Sequence, residues 1–230
     1  QIICTPDAIK HLMNAMMHNG RLGAVAPLLL KKISPRVIDS GGIENNIFFR
    51  FTNIGEGETT VPANAHERLV ALSGAAMLLR KEAVDDIVSH GGGNNHEFFD
   101  EQFIAYKEDI DVGLRLRQRG WNIAVVPQSI MLYHRNARKK ATIFTDAAER
   151  HRRSFRANAY SLRNQWWLLL KNIPITRLFL CAPLIVLMEC GKIFVILITH
   201  PNTLRILPSF FTGLPRIFAK RRAIIHSRHR

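Results

Sequence analysis

The chain has 230 residues with 47% apolar side chains, enough to bury one real core with an appendage but not two full domains. Its formal net charge of +14 is unevenly placed: residues 1–149 hold 17 Lys/Arg and 17 Asp/Glu, whereas residues 150–230 hold 15 Lys/Arg and Glu189 as their one acid. This pattern argues against a uniformly basic nucleic-acid binder and for a neutral body with a basic tail. The three cysteines, Cys4, Cys181 and Cys190, lack paired metal-ligand spacing and read as reduced thiols. The chain opens without Met and without a secretory signal pattern, and is expected to begin inside a longer protein.

Along the chain, Ala8, Ile9, Leu12, Met13 and Met16 repeat at helical spacing behind Thr5-Pro6, predicting a helix that ends at Asn19-Gly20. Leu22 to Pro27 reads as a buried strand and Arg36 to Gly42 as a second strand entering a Gly turn. Residues 44–66 are polar, weakly patterned and expected to be irregular. Leu69 to Leu72 predicts a strand, Ser73-Gly74 a turn, Ala75 to Leu79 an extended segment and Arg80 to Val88 a helix. Gly91-Gly92-Gly93 lacks the following Lys-Ser/Thr and the preceding strand of a phosphate loop, and reads as a flexible connection. Glu108 to Arg119 predicts a helix with carboxylates in its first turn, arginines in its last and Gly120 as its stop. A strand from Trp121 to Pro127 follows. Helices alternating with short apolar strands predict an α/β layered fold with ligands at the carboxyl ends of strands.

The tail differs in kind. Arg150, Arg152, Arg153, Arg156 and Arg163 precede Trp166-Trp167, and Leu178 to Ile198 is apolar apart from Glu189 and Lys192. That segment is long enough to cross a bilayer, but its two charges and Pro183 favour a helix or helix pair lying in the membrane interface.

The densest chemistry lies at Glu108-Asp109-Ile110-Asp111. A carboxylate at a helix N-terminus is stabilised as the anion, and an anion within reach of a hydroxyl is a competent general base. A helix cap with an Asp111–Arg115 ion pair explains the same residues, and spacing alone does not separate the two readings.

Phe98-Phe99-Asp100-Glu101-Gln102-Phe103, Tyr106-Lys107-Glu108-Asp109-Ile110-Asp111, Leu114-Arg115 and Gly120-Trp121 resemble the acceptor-side motif of family 2 glycosyltransferases. Ser73 to Arg80 resembles the strand and turn that precede it. Thr5 to Ile9 and Gly23 to Pro27 resemble the helix and strand that follow the family's Asp-x-Asp metal motif, and Arg163-Asn164, Pro174 and Lys220 to Ile224 resemble the membrane-proximal tail of rhamnosyltransferase-like members.

The resemblance implies a partial GT-A, Rossmann-like mixed sheet with flanking helices over residues 1–149, followed by a basic, membrane-associating helical tail over 150–230. It implies an inverting transfer of a sugar from a nucleotide-diphosphate donor to a hydroxyl of a glycan or polyprenyl-linked acceptor, in cell-envelope polysaccharide synthesis at the cytoplasmic face of the cell membrane. Asp109 would be the base, with Glu108 and Asp111 as the other catalytic carboxylates. Ser73, Gly74, Ala75, Trp121 and Arg138 would contact substrate, Arg138 in a basic loop with Arg135, Lys139 and Lys140. His134 would ligate Mn²⁺ or Mg²⁺, most of whose ligands are expected upstream of Gln1.

The family's nucleotide-binding half has no counterpart here, so the chain alone is expected to be inactive. The Gln-x-x-Arg-Trp motif of processive relatives is also absent, which favours single-sugar transfer. The alternative is a non-catalytic module that docks on a membrane surface through the tail. Nucleic-acid binding is not expected, because the tail's cations are interspersed with a continuous apolar run.

Overall fold

The computed structural model describes residues 1–89, 97–134 and 155–226. Its first sheet is built on a central strand, β2 (Leu22–Lys31), with β8 (Asn122–Tyr133) parallel on one side and β3 (Ser34–Ser40) antiparallel on the other. β1 (Ile2–Cys4) extends the sheet antiparallel to β8, and the two-residue β7 (Leu78–Leu79) pairs antiparallel with the start of β2. A second, antiparallel sheet has the order β5 (Phe51–Asn53), β4 (Ile43–Asn45), β6 (Leu69–Ala71).

β2 is buried on both faces, which explains its continuous apolar sequence. Val25 and Leu29 face α1 (Ala8–His18) through Ala8, Leu12 and Met16. Ala24 and Ala26 face α3 (Lys81–Ser89) and α4 (Glu108–Gln118) through Ala83, Ile87, Val112 and Leu116. The result is the α/β layered architecture expected from the sequence, with a mixed sheet between helices. Arg80 ties the layers by donating to the carbonyls of Met16, Asn19 and Leu22, which helps satisfy the C-terminal end of α1.

Two expectations change. Residues 44–66 are not irregular throughout: β4 and β5 pair as a hairpin and α2 (Ala65–Arg68) precedes β6. β8 runs on to Tyr133, past Pro127, because its register against β2 jumps there from Pro27↔Val126 to Leu28↔Ile130. The extra residues form a bulge, a position where a strand tolerates Pro. Within it, Ser129 donates to the Ala8 carbonyl at 2.8 Å.

Gly113 lies where α4 crosses β6, and a Cβ on it would sit 2.6 Å from the Cβ of Ala71. Gly113→Ala is expected to lower stability by about 1–3 kcal/mol, read from the denaturant midpoint; an unchanged midpoint would show that α4 does not rest on β6 there.

The tail folds as α5 (Phe155–Asn172), α6 (Ile175–Thr199), a 3-10 segment (Pro201–Ile206) and α7 (Leu207–His226). It shares a core with the body: Trp167, Leu168 and Ile217 pack with Ile43, Ala71, Phe103 and Ile110. The change in charge near residue 150 is therefore not a division of the core. Residues 135–154, where the two parts join, lie outside the described residues, as does the Gly91–Gly93 connection. The three cysteines are free, as their spacing predicts.

Candidate active site

The site is set by the backbone just before α4. Lys107 has φ 75° and ψ 0°, and Ile104 and Tyr106 also have positive φ, 56° and 70°. Such conformations are costly for residues other than glycine, most of all for a β-branched side chain, and persist only where the surroundings impose them. Here the constraint comes from α5. The fully buried Asn164 places Nδ2 2.7 Å from the carbonyls of Phe103 and Ala105 and 2.9 Å from that of Tyr106. Its neighbour Arg163 donates to the Gln102 carbonyl at 2.8 Å and stacks 4.1 Å above the Trp167 ring.

Out of this turn α4 begins, and Asp109 occupies its first turn, half-buried. Its Oδ2 accepts the Gly74 N–H at 3.0 Å and its Oδ1 accepts the Ile110 N–H at 2.9 Å. Each oxygen keeps a further lone pair for a hydroxyl. The approach is close: a Cβ at position 74 would lie 3.1 Å from the Asp109 Cβ, so a larger residue there would push Asp109 by a few tenths of an ångström. Ser73 is buried and its Oγ accepts the Ala75 N–H at 3.4 Å, closing the turn that follows β6. The structure thus brings Ser73, Gly74 and Ala75, in the turn just after β6, to Asp109.

Glu108, next to Asp109, is half-buried. Burial pushes its carboxyl above the usual range; the adjacent Asp109 charge adds to this, while its own backbone N–H and Lys107 act in the opposite sense. Among the described residues its buried Oε2 has no hydrogen-bond partner.

Asp111 points the other way, into the protein, and is wholly buried. It receives Arg115 at 2.9 Å, Lys171 at 2.9 Å and the Asn172 amide at 2.8 Å. Lys171 also meets Asp100 at 2.6 Å, and Lys220 joins Asp100 at 2.7 Å and Glu97 at 2.6 Å. Burial alone would raise the Asp111 carboxyl, but Lys171 and Arg115 hold it below its ordinary value. The same balance, with Lys171 and Lys220, brings Asp100 down to about 2. The Asp111–Arg115 pair read from the sequence is present, as part of a larger network that joins α4 to α5 and α7.

The other sequence-derived site residues are dispersed. Trp121 stands at the amino end of β8, where its Nε1 donates to Asp86 at 2.9 Å and its ring packs on the core beside Gly23. The indole is half-buried and used in packing at the amino end of β8. His134 is exposed just beyond β8, with its backbone N–H donating to the Gln1 carbonyl at 3.1 Å. Arg138, with Arg135, Lys139 and Lys140, lies outside the described residues.

Among the described residues no three His, Cys, Asp or Glu side chains converge on a metal position. His134 can offer a single ligand, so the described donor set does not form a divalent-cation site.

Sequence reasoning missed Asp100, Asn164, Lys171 and Asn172 as parts of the site's frame. A signal existed: Asn164, Trp167, Leu168, Lys171 and Asn172 fall on one helical face, so polar residues occupy positions that the pattern assigns to the core.

A stretch of 64 residues is 38% identical to N-acetylglucosaminyl-diphospho-decaprenol L-rhamnosyltransferase of Mycobacterium tuberculosis, in both strain CDC 1551 / Oshkosh and strain ATCC 25618 / H37Rv. The match covers 28% of this chain and 18% of the relative's length. A far longer match, over residues 4–215, is to the glycosyl transferase family group 2. It runs from the last residue of β1 into α7 and takes in the Asp109 turn, and the chain belongs to that family.

Proposed function

We propose that this chain is the acceptor side of an inverting glycosyltransferase, with Asp109 as the general base. The observation that carries the reading is the placement of the Asp109 carboxylate: oriented by two backbone N–H groups at a helix start, still open to solvent, and held apart from the buried ion network that engages Asp111. In the transfer, the acceptor hydroxyl oxygen attacks the anomeric carbon as the bond to the diphosphate breaks. The hydroxyl proton passes to Asp109, and the nucleoside diphosphate leaves with the bonding electron pair. The base must stand on the face opposite the leaving group for the attack to be in line. Asp111, enclosed by Arg115, Lys171 and Asn172, has no face to offer an acceptor and fixes α4 instead.

The acceptor is proposed to be a glycan on a polyprenyl diphosphate, and the place of action the cytoplasmic face of the cell membrane, in cell-envelope polysaccharide synthesis. The relative's printed name and the apolar tail support this. The test is sugar transfer by the parent protein that carries the donor-binding half, given a panel of nucleotide sugars and lipid-linked acceptors, with Mn²⁺ or Mg²⁺ present because the donor diphosphate favours a hard cation. His134 is proposed as a ligand to that cation. Transfer with inversion supports the reading, and no transfer from any donor favours a non-catalytic module that docks on membranes.

A further inference from the structure

α6 is, among the described residues, the one helix long and apolar enough to cross a membrane, with a mean hydropathy of 2.2 over its most apolar window. Its packing decides how it meets lipid. The helix folds back along α5: Leu178, Cys181 and Ile185 pack on Leu169 and Ile173. Farther on, the Trp166 Nε1 donates to Glu189 at 2.8 Å, and Lys192 pairs with Glu189 on the same side. Ile196 is also buried. At 100° per residue these positions share one half of the helix.

The other half carries Phe179, Leu180, Leu187, Phe194, Leu197 and Ile198, each between 51% and 83% exposed. The single acid of residues 150–230, Glu189, is turned inward. Arg177, whose guanidinium also lies 5.2 Å from the centre of the Phe49 ring, and Arg205 are both exposed beyond the two ends of this apolar face. The outer surface of α6 is therefore apolar and flanked by cations.

From this we infer that α6 seats flat in the headgroup interface of an anionic bilayer and does not cross it. A lone crossing helix is surrounded by lipid, but on α6 Leu178, Cys181 and Ile185 are half-buried against α5 and Glu189 is buried. α5 cannot follow it into hydrocarbon, because its opposite face is bound through Asn164, Lys171 and Asn172 to the Tyr106 turn, Asp100 and Asp111. A helix with one face on protein and the other apolar can bury only the latter, which is in-plane seating. Arg177 and Arg205 then reach lipid phosphates at its ends. The occupant is lipid rather than an acidic protein surface, since the centre of the face carries no charge. The inference deepens the proposed action at a membrane, and its test needs no transfer activity.

Cys190 lies on the outer half of α6 and is exposed, so a fluorophore placed there, in a Cys4→Ser background, reports depth. The full chain is mixed with phosphatidylcholine vesicles with and without phosphatidylglycerol, and with nitroxides carried near the headgroup or near the chain end. Flotation that requires phosphatidylglycerol and falls with salt, with the headgroup nitroxide quenching more strongly, is the expected result. Leu187→Asp with Phe194→Asp, both outside the packed face, is expected to weaken flotation by at least about tenfold with an unchanged unfolding transition. Stronger quenching from the chain-end nitroxide means that α6 crosses, and that result, or no flotation on either vesicle, overturns the inference. Absence of sugar transfer by the parent protein would remove the enzymatic reading and leave this result standing.

Discussion

Asp109→Asn in the parent protein is expected to lower the transfer rate constant by about 10²–10⁴-fold, the range for loss of a general base, with the donor KM and the unfolding transition unchanged. The asparagine amide oxygen can still accept the Gly74 N–H that Asp109 now accepts, so the turn keeps its anchor while the proton acceptor is gone. The kinetics separate this from a packing defect: an interaction made only in the transition state lowers kcat and kcat/KM together. Asp111→Asn makes the informative contrast. A neutral amide cannot compensate both Arg115 and Lys171, so that variant is expected to lose stability first and activity with it. Retained turnover in Asp109→Asn would move the base to Glu108, whose carboxyl is already raised by burial.

Lys171→Met is expected to destabilise the fold by about 3–5 kcal/mol, the cost of breaking a buried ion pair while its partners remain. Asp100 and Asp111 would be left with fewer cations in a site where both are buried. The pH dependence gives a second reading. The folded Asp100 carboxyl is held near 2, below its ordinary 3.8, so its contribution is fully present at neutral pH and is lost as pH falls through that interval. Without Lys171 the acid limb should begin at higher pH. Lys220 has the opposite sign: its ammonium is raised by Asp100 and Glu97 against the effect of burial, so its contribution is present below its ordinary value and lost only as pH rises above it. Denaturant titrations of both proteins across pH measure these limbs. Equal midpoints at neutral pH would show that the network carries no net stability.

Much of the fold is legible in the sequence because local rules and burial agree. α1 and α4 show helical periodicity, and Gly120, at φ 81°, stops α4 as its position predicts. β2 reads as buried because it is apolar from Leu22 to Leu30. The hairpin of β4 and β5 was not legible, since Glu44, Asn45 and Asn53 are polar and the strands are fixed by pairing with each other and with β6. Asp109 and the Ser73–Ala75 turn could be named from their motifs, but the path that brings Gly74 against Asp109 spans 35 residues and leaves no local trace. At Trp121 the letters alone do not decide, because an aromatic next to a glycine reads the same whether it binds substrate or packs. The charge count needs the fold beside it: Lys171, Lys220 and Arg163 of the basic tail are buried, and Lys171 and Lys220 are neutralised by acids of the body, so part of the tail's charge is not on its surface.

The three carbonyls that Asn164 reaches belong to residues 58 to 61 positions earlier in the chain. A nascent chain that has emerged only through α4 already contains Asp109, Gly74 and the turn between Phe103 and Lys107, yet that turn lacks the side chain that holds it. Because long-range closure comes late and loop entropy opposes it until partners exist, α5 must be synthesised and docked before the backbone ahead of Asp109 settles into its positive-φ path. Maturation of the site is thereby tied to completion of the helical tail, and a product released early would carry the motif without the geometry.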